Sequence, residues 1–285
     1  MSPYSSRKVG GKYKTSVWLC LLSVLTGSVV AQEILLYDHG AVRKNSRAAL
    51  DHLGLSYTVS TTNTFDTLLS SSPWDLVVVD APDEIPADPN NGAPIYGSLE
   101  WDAMKAYVDN GGKAIMSFWE ASDGVSSVYE GLDLPESFGV NQSLSENYSN
   151  ISGHQDVYFW EASHPVFDGI AGPLTTSSDF NPTPSLATLG TFLNMQAAPG
   201  FTATALAGFS SNPAQIFQTA IILQEGSFGP QTIYNGFLFD EFTSQAGRDL
   251  IANQIDFLLI PEPSSIGLFG FGLLLVCVCV RRTQA

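Results

Sequence analysis

Asp75-Leu76-Val77-Val78-Val79-Asp80, shut in by Pro73 on one side and Pro82 on the other, is the stretch on which the fold turns. Its apolar residues run without alternation, and Val77, Val78 and Val79 are β-branched, which favours an extended chain. A continuous apolar run marks a strand covered on both faces, as in the middle of a parallel sheet. Parallel neighbours need crossover segments, and the flanking sequence supplies them on each side.

Upstream, Ile34 to Asp38 reads as a first buried strand. Gly40 permits a turn into a helix over 42–53, where Val42, Ala49, Leu50 and Leu53 share a face, and Gly54 stops it. Leu55 to Ser60 is a second strand. Asn63 with Asp66 resembles a capping arrangement that opens a short helix through Leu69. Downstream, residues 81–97 hold four prolines and two glycines and read as a loop. Ser98 caps the next helix, with Glu100 and Asp102 in its first turn. Leu99, Ala103, Met104, Tyr107 and Val108 recur there at helical spacing, Gly111-Gly112 ends it, and Lys113 to Trp119 is the following strand. This order predicts a doubly wound, mostly parallel sheet of flavodoxin-like α/β architecture, with right-handed crossovers. The second half is richer in strands, over 201–208, 216–223 and 232–239. Ser244 then caps a last helix that turns Leu250, Ile251, Ile255, Leu258 and Leu259 to the core.

Charge narrows the partners. All 28 acidic residues fall between Glu33 and Glu262, against only Arg43, Lys44, Arg47, Lys105, Lys113 and Arg248. Such a body repels nucleic acid and anionic lipid, so no nucleic-acid partner is expected. It suits solubility, divalent cations or a saline medium. The 3 cysteines, Cys20, Cys277 and Cys279, lie in the two apolar ends. The stretch between them therefore has no disulfide, thiolate nucleophile or cysteine metal site. Its stability has to come from a packed core, which about 230 residues can build as one domain.

Both ends point to export. Arg7, Lys8, Lys12 and Lys14 precede the apolar stretch Val17 to Leu25, and Val29-Val30-Ala31 offers a small-residue cleavage site. Residues 1–31 thus read as a signal peptide for the Sec translocon and signal peptidase, with Gln32 opening the mature chain. Cys20 lacks the small preceding residue that a lipoprotein signal requires. At the far end Pro261-Glu262-Pro263-Ser264-Ser265 leads into the apolar run Ile266 to Val280, and Arg281-Arg282 follow. That run makes roughly 22 Å of helix, short of the roughly 30 Å hydrocarbon slab. The basic pair holds its end in the cytoplasm. An ordinary short anchor fits these residues too.

The order of the tail resembles the PEP-CTERM sorting signal, the bacterial tag of exosortase substrates. The resemblance implies that a transmembrane helix over 266–280 holds the chain transiently in the inner membrane. An exosortase then recognises Pro261, Glu262 and Pro263 and delivers the body to the cell surface or the extracellular matrix. Exopolysaccharide is an expected partner there, in biofilm or envelope material. The domain expectation is a signal peptide over 1–31, an α/β domain over 32–260 and the sorting signal over 261–285.

The body carries a second resemblance. The strand opened by Trp74-Asp75, the helix ending Val108-Asp109-Asn110-Gly111-Gly112 and the strand from Lys113 are similar to the class I glutamine amidotransferase-like superfamily. So are His164-Pro165-Val166-Phe167-Asp168-Gly169 and the strand Ile233 to Phe239 before a closing helix, so the likeness spans residues 33 to 260. It implies a nucleophilic cysteine on a strained turn past a central strand. The corresponding stretch is Ser117-Phe118-Trp119-Glu120-Ala121-Ser122, which has no cysteine and lacks the small residues such an elbow needs. Glutamine hydrolysis is not expected, and no residue is assigned as catalytic.

Three other chemistries remain open. Ser117 or Ser122 can be set beside His164 or His154 as nucleophile and base. Against this, Ser117 falls in a strand, Ser122 suits a turn cap, and His164-Pro165 suits a loop with a locally bonded imidazole. Asp80, Asp83, Glu84 and Asp88, with Asn90 and Asn91, crowd the loop past the best strand, where open α/β sheets bind ligands. Oxygen-rich loops suit calcium, but the spacing fits no EF-hand, and a solvated acidic loop is the plainer reading. No cofactor other than calcium is in view. Trp101, Trp119, Tyr129, Tyr148, Tyr158, Phe159 and Trp160 offer faces for sugar rings, although aromatics more often serve the core. The Asn-X-Ser sequons at Asn141, Asn147 and Asn150 mark a polar loop. The expected function is a non-catalytic binding or structural module; the alternative is an extracytoplasmic hydrolase with a serine- or acid-based site on the same scaffold.

Overall fold

β3, Leu76–Asp80, stands in the middle of the parallel strands with all five residues buried. The structure is a computed structural model, described over residues 32–38, 43–61, 63–80, 98–117, 134–140, 146–148, 156–175, 192–194 and 202–260. β1, Ile34–Tyr37, lies parallel on one side of β3, and β4, Ala114–Ser117, parallel on the other. β2, Tyr57–Ser60, adds a half-exposed parallel edge strand beyond β1. Helices make the crossovers: α1, Asn45–His52, α2, Phe65–Ser71, and α3, Ser98–Asp109.

The strand-rich second half continues the same sheet. β6, Asp156–Phe159, β7, Leu174–Thr175, β9, Ala203–Gly208, β10, Thr219–Gly226, and β11, Gly229–Asn235, complete the order β2-β1-β3-β4-β11-β10-β9-β6-β7. β11 is parallel to β4, and every pairing beyond it is antiparallel. The expected parallel character therefore holds from β2 to β11 and stops there. The reason is connection length: β10 and β11 are joined by a tight hairpin, which permits only the antiparallel arrangement. β5, Glu146–Tyr148, and β8, Phe192–Asn194, form a separate antiparallel pair.

Side chains alternate across a strand, so each central strand feeds two cores. Ile34, Leu36, Leu76, Val78, Ile115 and Ile233 pack with Ala49 and Leu50 of α1 and with Leu250, Ile251, Ile255 and Leu258 of α5, Gln245–Leu259. Leu35, Tyr37, Val77, Val79, Met116 and Tyr234 point the other way. They meet Phe65 and Leu69 of α2, Met104 and Val108 of α3, and Leu134 of the short α4, Leu134–Ser137. At roughly 1.5–3 kcal/mol for each fully buried large apolar side chain, these two layers are the main source of stability.

Local signals were honoured unevenly. Ser244 caps α5, its Oγ accepting from Gly247 N at 3.2 Å. Gly247 is required by a close approach, since a Cβ there would stand 2.3 Å from Phe242 Cβ. The expected cap at Asn63 is not formed: the N-cap of α2 is Thr64, without a side-chain cap bond, and its Oγ1 instead accepts from Thr61 N at 2.9 Å. Asp66 thereby keeps Oδ1 buried without a partner among the described residues, and burial raises its pKa. The strand expected from Ile216 begins only at Thr219. Asn212 Oδ1 accepts from Ala214 N at 3.1 Å and Thr219 Oγ1 donates to Ile216 O at 2.7 Å, which winds Ile216–Gln218 into a 3-10 turn. Among the described residues no helix is long and apolar enough to cross a membrane. The signal peptide over 1–31 and the apolar run 266–280 lie outside the described residues.

Candidate functional site

The crossovers divide between β1 and β3: the chain leaves β1 for β2 on one side, then returns past β1 to reach β3 on the other. Ligands of open α/β sheets bind at such a switch point, past the C-terminal ends of the strands. Asp38 follows β1 there and Asp80 ends β3, with 3% and 0% of their surface exposed.

Five consecutive residues entering α1 close over this point: Arg43-Lys44-Asn45-Ser46-Arg47. Ser46 Oγ donates to Asp80 Oδ2 at 2.7 Å. Arg47 grips Asp38 with two donors, Nε to Oδ2 and Nη2 to Oδ1, the latter at 2.8 Å. That bond is the chief cause of a raised Arg47 pKa. Lys44 Nζ donates to Asp38 O at 3.0 Å and lies 3.6 Å from its Oδ2. Lys44 is also the only non-glycine residue at positive φ among the described ones, at φ 51° and ψ 39°. A left-handed conformation costs a non-glycine residue roughly 1–2 kcal/mol, so the surrounding bonds must hold it.

The same five residues reach the segment after β11. Arg43 N donates to Asp240 Oδ1 at 3.0 Å, and Arg43 Nη1 to Asp240 O at 2.5 Å. Asn45 Nδ2 donates to both Phe239 O and Phe242 O at 2.8 Å. Segments far apart in sequence are thus clasped by one polar pentapeptide. Three of the six bases of the acidic body lie inside it. That clustering was the visible signal for a site that the sequence reading passed over.

Asp80 is the chemically distinctive member. Its Oδ1 has no hydrogen-bond partner among the described residues. Burial pushes its pKa up to about 8, the nearby Asp240 adds to the rise, and the Ser46 bond opposes it. At neutral pH, with no cation beside it, burial holds Asp80 toward its protonated, neutral form. Asp83, Glu84 and Asp88 lie outside the described residues, and among the described ones no group of three or more His, Cys, Asp or Glu is placed to hold a metal ion.

Ser117 ends β4 at this same edge. Its Oγ donates to Phe237 O at 2.9 Å and accepts from Phe239 N at 2.8 Å, with no surface exposed. The hydroxyl that stands nearest the expected elbow is thereby committed to tying β4 to the chain leaving β11. His164 is elsewhere. Its Nδ1 accepts from Val166 N at 3.3 Å, capping the 3-10 turn Pro165–Phe167. Its ring lies 4.8 Å from that of Phe257, in the last turns of α5. Those turns approach the opposite edge, where Lys113, just before β4, donates Nζ to Leu258 O at 2.6 Å. Burial lowers the His164 pKa, with Glu161 opposing. The structure does not bring Ser117 and His164 together; Ser122 and His154 lie outside the described residues.

Of the seven candidate aromatics, the three whose side chains the structure describes, Tyr158, Phe159 and Trp160, are engaged internally. Phe159 stacks on Phe167 at 4.1 Å, and Trp160 Nε1 donates to Ser210 O at 2.8 Å, its ring filling the space that a Cβ at Gly208 would need. Tyr158 donates its hydroxyl to Asp156 Oδ2 at 3.2 Å. The side chains of Trp101, Trp119, Tyr129 and Tyr148 lie outside the described ones.

Comparison with known proteins bears on both the tail and the body. Residues 259–282 match the PEP-CTERM protein-sorting motif. No curated protein matches the chain in sequence. The body is similar to the crystal structure of a Thermoplasma acidophilum protein assigned as one component of a GMP synthase, at 14% identity over 80% of this chain and 94% of that one, with a TM-score of 0.50. It is likewise similar to a cytoplasmic protein of Salmonella typhimurium, at 13% identity over 79% of this chain and 98% of that one, with a TM-score of 0.50. At such identities the likeness shows the fold alone: a mixed α/β domain with a largely parallel central sheet.

Proposed function

We propose that this chain is an exosortase substrate whose α/β body, residues 32–260, is a non-catalytic binding or structural module of the cell surface or extracellular matrix. The observation that carries the reading is the sorting motif at 259–282, which begins in the last turn of α5. In this reading residues 1–31 open the Sec route and are removed by signal peptidase. The helix over 266–280 then holds the chain in the inner membrane until the exosortase acts at Pro261-Glu262-Pro263. A cysteine-free body supports service outside the cytoplasm, and its acid excess suits a hydrated exopolysaccharide setting. Commitment of Ser117 to Phe237 and Phe239 supports a scaffold role for the edge where related folds place a nucleophile.

Fractionation of cells with and without their exosortase tests this. Body and tail should stay joined in the inner membrane when the enzyme is missing, and separate when it is present. Intact protein in the cytosol, with both ends retained, overturns the reading.

One observation keeps the hydrolase alternative in its acid-based form. A carboxyl that retains its proton at neutral pH has the profile of a general acid, and Asp80 has that profile at the switch point. Turnover of envelope glycans by the wild type that is abolished in Asp80→Asn would move the assignment to that class.

A further inference from the structure

The chain enters and leaves its folded body at one edge of the sheet. Gln32 Nε2 donates to Leu259 O at 3.4 Å, so the residue ahead of β1 touches the end of α5. Lys113, just ahead of β4, reaches Leu258 O. Both bonds lie where the parallel strands begin. The hairpin between β10 and β11 turns at this same edge, because β11 runs parallel to β4 with Thr232 beside Ala114. Lys113, Gln231 and the hairpin tip at Ser227, Phe228 and Gly229 accordingly line one groove of about 590 Å³.

The tip carries an unusual residue for its place. Phe228 is 87% exposed, and Ile260, where the body ends, is 53% exposed. The turn needs glycine at Gly229, with its φ of +101°, but it does not need an aromatic ring beside it. Only Pro261-Glu262-Pro263-Ser264-Ser265 separates Ile260 from the apolar run at Ile266. Fully extended, that linker spans roughly 17 Å. Whatever the run is embedded in, Ile260, at the edge that also bears Phe228, is kept within that reach of it.

We infer that, while the tail is anchored, this edge rests on the outer surface of the inner membrane with Phe228 at the lipid interface, and the clasped edge faces away. The inference rests on the sorting reading above and adds an orientation to it. An exposed Phe ring gains by burying its apolar surface at the acyl side of a bilayer interface, as on the apolar faces of interfacial helices. A single ring cannot by itself hold so acidic a body on anionic lipid, but a short tether makes the contact intramolecular, at an effective concentration in the mM range. Docking is therefore tied to the uncut tail and ends on sorting. Because the acid excess opposes it, added salt strengthens it.

The cysteine-free body makes the test direct. The full chain with Cys20, Cys277 and Cys279 changed to Ala carries a single new thiol, either Ser227→Cys at the hairpin or Ser211→Cys at the opposite edge. Each is labelled with nitrobenzoxadiazole in right-side-out inner-membrane vesicles containing nitroxide-labelled phosphatidylcholine, from cells lacking the exosortase. The label at Ser227→Cys should shift to the blue and be quenched, more so in high salt, and the added change Phe228→Ser should abolish both effects. The label at Ser211→Cys should stay water-like throughout. Equal, water-like emission at the two sites overturns the inference. So does a blue shift at Ser227→Cys that the nitroxide lipid does not quench, which would make the partner a protein. A chain recovered in the soluble fraction instead overturns the sorting reading, and the orientation with it.

Discussion

The two edges of the sheet are built from opposite materials. Where the parallel strands end, Asp38, Asp80, Ser117 and Asp240 are buried and the bonds of residues 43–47 close over them. Where those strands begin, there are glycine turns, an open groove, the exposed Phe228 and both exits of the chain. The contrast teaches that the strand ends where open α/β sheets bind ligands can be fastened by bonds between segments far apart in sequence. At those strand ends a hydrogen bond matters because its loss leaves a buried group unsatisfied; at the other edge bonds such as Lys113 Nζ to Leu258 O are only part-buried, so their loss costs less.

The strongest way to break the contrast is to remove the buried titratable group, Asp80. In the folded body Asp80 holds its proton up to about pH 8, against an ordinary value of 3.8. Between those limits the native state keeps a proton that the unfolded chain has released, so stability falls as pH rises through the window and levels off above it. The slope for one such group is about 1.4 kcal/mol for each pH unit. Asp80→Asn has no proton to lose and still accepts from Ser46. Its advantage over wild type in urea unfolding should grow steadily from pH 4 to pH 8, reaching several kcal/mol. Parallel stability curves for the two proteins would mean that Asp80 is ionised in the fold.

Ser117→Ala should follow in size, at about 2–4 kcal/mol of lost stability by denaturant titration, because it strips a partner from both Phe237 O and Phe239 N in a dry setting. A neutral outcome would show that water reaches this edge and that the fastening is weaker than its geometry. Arg47→Met should cost about 1–3 kcal/mol, less than a fully buried pair would, since Arg47 is 37% exposed while Asp38 is 3% exposed. Added salt should narrow that difference, and a salt-independent loss would point to packing by the arginine stem.

How much of this was legible from the chain follows its length scale. The run Leu76 to Val79, the helix after Ser244 and the locally bonded His164 loop are decided by neighbours in sequence, and each was readable there. The Asn63 cap and the strand from Ile216 were misread because Thr64 and Asn212 form competing side-chain turns of similar local appeal. The clasp was hidden for another reason. Arg43 and Asn45 meet partners 194 to 197 residues away, and nothing short of the sheet order brings those together. Only the crowding of bases in an acidic body hinted at it. The antiparallel half was likewise a matter of register and connection, to which composition is blind.

The smallest expected effect sharpens the comparison most. Phe228 is almost wholly in water, on a turn whose geometry depends on its glycine neighbours, so Phe228→Ser removes little buried area. Thermal and urea unfolding of the variant should match wild type within about 0.5 kcal/mol, as for other surface changes away from special features. The same substitution should still erase the lipid signal at the hairpin tip. A loss well above 1 kcal/mol would instead place the ring down in the groove beside Lys113 and Gln231, holding the hairpin against α3 as a structural contact. The edge where the strands begin would then be closed by packing just as the other is closed by charge, and an exposed ring would no longer be left over for a membrane to explain.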